Sequence, residues 1–469
     1  MCGIIGILNS EGNDVAGKVY TGLLALQHRG QDSAGIASFD GSRINLKKGL
    51  GLVSQVFTED NLEVLKGSAA IGHVRYSTSG STTKENAHPF ILSVPITLAT
   101  AFNGNVVNYE ELRKDYDGKV ETNCDIEVLM KVFVQEYEKT NDGNVESVFN
   151  AVEKVFKEVN GAYSVVNVLE GGLLAFRDTR AIRPLVMGKS KDGKTVAFAS
   201  ETTAFDALGM EFVKNVGPGE AVFVDLKGKI HEKKINAKQP AHCMFEYVYF
   251  SRPDSELDGK SVYETRISLG KILGERLKGK GDVVVPVPDT SRPAAGALGE
   301  VAGIPTQEGL IKNRYVWRTF IMPTQKQRDK AMQVKLNVNK PVVEGKNVIL
   351  VDDSIVRGTT SRKIVKLVKE KAKTVHLVST CPPIKNPCYY GVDFPDEAEL
   401  IANSKDIPEI RKEVGADELT YATVEDLKKA TGLPLCTACI TGEYPTHVTE
   451  KYKQQLREAR RQERENARG

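Results

Sequence analysis

Four apolar residues in a row, Val348, Ile349, Leu350 and Val351, run straight into two carboxylates, Asp352 and Asp353. The turn SIVRGTTS (354–361) and an amphipathic stretch follow. A short continuous apolar run before a glycine-containing turn and a helix predicts a strand buried on both faces, as in parallel sheets. The pattern recurs around it. Residues 283–285 precede a helical stretch near 293–301, a helix is expected over 359–371, and 375–379 reads as strand again. Strand–helix alternation of this kind constrains the second half of the chain to an α/β fold, a parallel sheet with crossover helices. Ligands of such sheets bind beyond the carboxyl ends of the strands, where Asp352 and Asp353 fall. Two adjacent carboxylates there can hold ribose hydroxyls or a Mg²⁺–diphosphate complex. Arg357, Gly358, Thr359, Thr360 and the amides of a helix N-terminus suit phosphate.

The first half has a different rhythm. Apolar runs at 4–8, 69–74, 96–102, 163–168, 173–176, 196–199 and 221–224 predict short strands, and helical periodicity covers about 15–26, 125–137 and 145–158. Strands clustered with few helices predict a layered α+β domain. Apolar content drops over 231–241, which reads as a polar, basic linker. The expected units are therefore 2–232, 243–445 and a C-terminal helix over 446–469. The last twenty residues carry seven basic and four acidic side chains, the composition of a solvated helix.

Composition excludes several classes. Lysine and arginine number 64 against 61 aspartates and glutamates, so a net charge of +3 implies neither nucleic-acid nor membrane-surface binding. The longest candidate span, 91–102, is broken by Ser93, Pro95 and two threonines, short of the ~18 apolar residues a membrane helix needs. The N-terminus lacks the basic start and apolar core of a signal peptide. Seven cysteines are too few and too odd a set for a disulfide scaffold and imply a reducing, cytoplasmic setting.

Cys2 follows the initiator methionine directly. Methionine removal would leave a thiol and a free α-amine on one residue, and an amine of pKa about 7.7–8.0 can take the thiol's proton. Alone, Cys2 reads as a small residue on an edge strand. With MCGIIGI, HRGQDSAG (28–35), GHVRYSTSG (72–80) and FNGNVVNYEEL (102–112), the segment from Cys2 to about residue 230 resembles the glutaminase domain of N-terminal-nucleophile (class II) glutamine amidotransferases. The resemblance implies an αββα layered fold and a thioester-forming Cys2. It implies Asn103 and Gly104 as oxyanion donors, Arg75 on the substrate's α-carboxylate and Asp125 on its α-ammonium. Singly, Arg75 could be a surface ion pair and Asp125 a helix N-terminal charge. His28 and His73 are read as structural.

VILVDDSIVRGTTS likewise resembles the phosphoribosyl-diphosphate signature of type I phosphoribosyltransferases, and VPVPDTSR (285–292) resembles their diphosphate loop, with Thr290 as a metal contact. The basic–aromatic stretch 312–330 looks like a catalytic lid, with Trp317 where a small glycine is the family habit. By itself that stretch could be a nucleic-acid patch or a solvated loop. The two halves in this order resemble the amidophosphoribosyltransferase family. The resemblance implies that glutamine, 5-phosphoribosyl 1-diphosphate and water give 5-phosphoribosylamine, glutamate and diphosphate, the first step of de novo purine synthesis. It further implies that ammonia passes between the two sites, that Mg²⁺ is held by Asp352, Asp353 and Thr290, that purine nucleotides inhibit by feedback, and that the assembly is a homotetramer. A hexosamine-forming amidotransferase would lack VDDSIVRGTTS, and a nucleotide-sensing regulator would tolerate loss of Cys2.

Cys436 and Cys439 form a lone C-x-x-C, compatible with a redox pair, half a zinc site or coincidence. Resemblance to the cluster-bearing subgroup implies a [4Fe–4S] cluster on Cys243, Cys388, Cys436 and Cys439. Four thiolates suit zinc as well. Members of that subgroup usually mature from a propeptide, whereas here Cys2 follows methionine. Cys381 is the spare nearest in sequence, and Cys124 is assigned to the glutaminase half.

Overall fold

The computed structural model describes residues 1–76, 83–93, 96–116, 120, 122, 124–139, 144–313 and 336–466, with side chains to 458. Two antiparallel sheets build the first half. One runs in the order Glu211–Asn215, Val186–Lys189, Thr195–Ala199, Gly3–Asn9, Ala69–Arg75, Ser33–Phe39 and Ile44–Leu50. The other runs Ile230–Lys234, Glu220–Asp225, Gly172–Arg177, Gly161–Leu169, Leu98–Val106 and Phe90–Leu92. Strand periodicity explains the layering. Ile4 and Leu8 face the second sheet and pack with Ala99, Val166 and Phe198, whereas Ile5 and Ile7 face the helix Ala16–Ala25 through Val19 and Leu23. The helices Asp125–Tyr137 and Val145–Glu158 cover the outer face of the second sheet with Phe133, Val152 and Phe156. The layers are thus α, β, β, α.

The second half is a four-stranded parallel sheet in the order Val283–Pro286, Asn347–Asp352, Thr374–Ser379 and Glu418–Tyr421. Its helices include Val262–Arg276, Arg292–Ala302 and Thr359–Lys369. Both architectures are those anticipated from the sequence.

The segment read as a linker begins otherwise. Ile230–Lys234 is an edge strand paired to Glu220–Asp225. It looked like a linker because a half-exposed edge strand carries charges, here Glu232, Lys233 and Lys234, where a buried strand carries apolar residues. The halves are joined by more than chain. Arg177 holds Asp258 with two hydrogen bonds, 2.7 and 3.0 Å, and Tyr247, Leu257 and Val262 join the core beneath the first sheet. No helix among the described residues is long and apolar enough to cross a membrane.

Candidate active sites

Cys2 precedes the first residue of a central strand, which carries its thiol to the strand end facing the second half. Its Sγ donates to the Tyr76 carbonyl at 3.8 Å and its N–H to Asn103 Oδ1 at 3.2 Å. The Cys2 carbonyl accepts from Arg29 Nε at 3.0 Å. Asn103, 1% exposed, has an Nδ2 with no hydrogen-bond partner among the described residues. A buried amide donor left unmatched costs about 1–3 kcal/mol, so a ligand oxygen is its natural partner. Gly104 follows on the same strand, and a Cβ there would lie 2.0 Å from the Ala162 carbonyl, so only glycine fits.

Arg75 ends the strand Ala69–Arg75 and is buried. Asp125 begins the helix Asp125–Tyr137 and accepts from the Val106 N–H at 2.9 Å. Burial pushes the Asp125 carboxyl up to about 6, against the pull of backbone N–H groups and Arg75. The histidines serve structure. His28 pairs with Glu201 at 2.7 Å, while His73 bonds the Phe102 carbonyl at 3.1 Å and stacks on His88. Burial pushes His73 down to about 3, so it stays neutral.

Arg29 is the residue that sequence reasoning passed over. Fully buried, it pairs with Glu201 and, at 2.7 Å, with Glu246, joining the Cys2 backbone to the π-helical turn Glu246–Phe250 of the second half. The available signal was Glu246, a carboxylate inside the aromatic-apolar run FEYVYF, where burial demands a partner.

The second site opens on the same space. A cavity of about 520 Å³ is lined by Asp352, Asp353, Arg357, Gly358, Thr359, Thr360 and Thr290, and also by Met1, His28 and Tyr76 beside Cys2. Asp352 ends its strand and Asp353 starts the turn, with Ser354 Oγ donating to Asp353 at 2.7 Å. Burial raises both carboxyls, and Asp353 raises Asp352 further. Neither forms an ion pair among the described residues. Two close carboxylates fit a divalent metal or ribose hydroxyls, and the nearby Arg266 charge draws only the Asp353 carboxyl down. Asp289 of the diphosphate loop is engaged by Arg292 and, at 2.7 Å, by Lys312. Trp317, Lys326, Arg328 and Lys330 of the expected lid lie outside the described residues.

Met1 also lines this cavity. It is buried, its amine is pushed down to about 6 by burial, and its thioether meets Arg183. Cys2 can offer a free amine there only once Met1 is gone.

Cys243, Cys388, Cys436 and Cys439 line one small cavity with Arg183, Phe245 and Tyr390, and Cys381 and Cys124 do not. The strand His242–Cys243 pairs in parallel with Leu435–Cys436, which brings two of the thiols together across 193 residues of sequence (436 − 243). The Tyr390 N–H and Arg183 donate to sulfur, on Cys388 at 3.3 Å and Cys243 at 3.7 Å. Among the described residues no group of three or more His, Cys, Asp or Glu is set to hold a single metal ion.

Each half of the chain matches a known domain family. Residues 73–207 match the glutamine amidotransferase domain family and residues 264–418 the phosphoribosyl transferase domain family. The amidophosphoribosyltransferase of Methanothermobacter thermautotrophicus is 44% identical, covering 95% of this chain and 94% of that protein. That of Methanocaldococcus jannaschii is 45% identical over 96% of this chain and 98% of its own. Among solved structures, the glutamine phosphoribosylpyrophosphate amidotransferase of B. subtilis, complexed with ADP and GMP, superimposes with a TM-score of 0.86 at 39% identity, covering 96% of this chain and 98% of that one. Matched along almost their full lengths and in both halves, these relatives establish that the chain belongs to the amidophosphoribosyltransferase family.

Proposed function

We propose that this enzyme converts glutamine, 5-phosphoribosyl 1-diphosphate and water into 5-phosphoribosylamine, glutamate and diphosphate, the first step of purine biosynthesis. The observation that carries the reading is the single cavity reaching from Tyr76 beside Cys2 to Asp352 and Asp353. Near neutral pH free ammonia is mostly protonated and unreactive, so a route closed to bulk water serves its transfer.

With Met1 removed, the Cys2 amine takes the thiol proton and the thiolate attacks the glutamine side-chain amide. Negative charge gathers on the amide oxygen, where Asn103 Nδ2 and the Gly104 N–H receive it. Arg75 and Asp125 hold the substrate's carboxylate and ammonium. As the oxyanion collapses and the C–N bond breaks, the Cys2 ammonium gives its proton to the amide nitrogen, which leaves as neutral ammonia, and water then hydrolyses the thioester to glutamate. In the second site Arg357, Gly358, Thr359 and Thr360 receive phosphate, while Asp352, Asp353 and Thr290 would hold Mg²⁺. When bound, that ion neutralises charge on the departing diphosphate. Ammonia attacks the anomeric carbon as the bond to diphosphate breaks.

The four converging cysteines support a [4Fe–4S] cluster in a structural role. Four thiolates would also suit zinc, so the iron content decides between them. Protein purified without oxygen should be brown and carry about four irons per chain. A colourless, iron-free and fully active preparation would remove the cluster from this reading. Purine nucleotides as feedback inhibitors and a homotetrameric assembly complete the proposal; the B. subtilis relative's complex with ADP and GMP supports the first.

A product assay tests the whole. Wild-type protein should form glutamate and 5-phosphoribosylamine together, and Cys2→Ala should abolish glutamine use while leaving synthesis from ammonia. Glutamine-dependent turnover surviving that substitution would refute the assignment.

A further inference from the structure

Asn105 stands two residues beyond Asn103 and has no part in binding glutamine in the reading above. It is nonetheless buried, and its side-chain amide is directed at the second half of the chain. Nδ2 donates to the Tyr389 carbonyl at 3.0 Å and to the Tyr452 hydroxyl at 2.7 Å. Tyr389 lies in the turn after Cys388, and Tyr452 on the C-terminal helix Glu450–Asn466. The two rings meet edge-on with centroids 6.0 Å apart, and Tyr444 packs on Tyr389 at 4.8 Å. Two residues on, Gly391 abuts the same strand: a Cβ there would come within 3.0 Å of the Gly104 carbonyl. The chain before the C-terminal helix is tied to the same domain, since Asn160 Nδ2 donates to the His447 carbonyl at 2.5 Å.

These contacts converge on one strand end. In a strand, residues i and i+2 share a face, so Asn103 and Asn105 move together. A rotation of the strand end that releases Asn105 from Tyr389 and Tyr452 also swings the Asn103 amide away from Cys2. Oxyanion donors act only when their direction is set beforehand, and a displacement of about 1 Å costs on the order of 100-fold in rate.

We propose that Asn105 is a positioning residue, through which the Tyr389–Gly391 turn and the Tyr452 hydroxyl of the C-terminal helix set the aim of Asn103 and Gly104. The inference rests on the reading of those two residues as oxyanion donors. It means that the phosphoribosyl half of the chain completes the glutaminase site structurally, at a point outside the shared cavity.

Steady-state kinetics on the full-length protein test it. Asn105→Ala should lower kcat for glutamine about tenfold or more, with KM for glutamine changed less than about twofold. Synthesis from ammonia should be unchanged. Tyr452→Phe, which deletes one hydroxyl, should lower the same kcat by about threefold, and the double variant should be no slower than Asn105→Ala, because both remove one shared contact. Unchanged kcat in both variants, a rise in KM alone, or an equal fall in the ammonia-dependent rate would overturn the proposal. If Asn105→Ala does not fold, Tyr452→Phe decides by the same criteria. Cys2→Ala separates the two layers. If it keeps glutamine use, the site reading fails. If it loses glutamine use while Asn105→Ala and Tyr452→Phe remain wild-type, only this inference fails.

Discussion

The two sites face one cavity but are built to opposite plans. Around Cys2 the polar groups are set before any ligand arrives: Asn103 is 1% exposed, Arg75 is 5% exposed, and Asp125 is bound to the Val106 N–H. Each projects from a strand or helix end braced on its neighbours. Around Asp353 the groups proposed to receive phosphate, Arg357, Thr359 and Thr360, are exposed on a turn and a helix N-terminus, and Thr290 is half-exposed. The difference follows from the charge each site must manage. A developing oxyanion needs a few donors at fixed positions, which a rigid sheet supplies. A diphosphate brings several negative charges and its own cation, and the groups proposed to meet it sit on more exposed backbone, with Arg357 paired to Glu399 at 2.9 Å. At Asp352 and Asp353 burial raises both carboxyls, and the Asp353 charge raises Asp352 further.

That contrast can be broken experimentally, and the largest effect belongs to the carboxylate pair. Replacing Asp352 and Asp353 together by asparagine keeps volume and removes two charges. Synthesis from either nitrogen source should fall by orders of magnitude, while basal glutamine hydrolysis at Cys2 persists. An unchanged ammonia-dependent rate would show that the pair does not hold the phosphoribosyl substrate.

A smaller effect, confined to the rigid site, comes from Asp125. Burial pushes its carboxyl up to about 6, and in the proposed role only the ionised form attracts the substrate's ammonium. The KM for glutamine should therefore be flat above pH 6 and rise as pH falls below it, approaching tenfold per unit. A limb in kcat should appear separately near the ordinary α-amine range of about 7.7–8.0 and report the Cys2 amine. Asp125→Asn should raise KM at pH 8 and flatten its acid limb. A KM that ignores pH between 5 and 7 in the wild type would remove Asp125 from substrate binding.

Much of the fold was legible because its signals are local. The helices expected over 125–137 and 145–158 occur as Asp125–Tyr137 and Val145–Glu158, since each carries a clean apolar face and a stop or start residue. Ile44–Leu50 was not legible: it is a half-exposed edge strand whose two lysines and glycine hide the alternation. Ile230–Lys234 was hidden by its charges in the same way.

By itself the sequence determined the chemistry on offer and the local order in which it is presented. A thiol behind the initiator methionine, an Asn-Gly pair on a strand and two aspartates at a strand's carboxyl end are defined by neighbours a few residues away. Only the tertiary structure decided which of these groups meet. It placed Arg29 on the Cys2 carbonyl, Glu246 on Arg29, Tyr452 on Asn105, and four of seven cysteines around one cavity. No periodicity encodes such meetings. They follow from the packing of two sheets, a parallel domain and a terminal helix, in which a buried charge or amide takes the partner that geometry brings within reach, however far away in sequence.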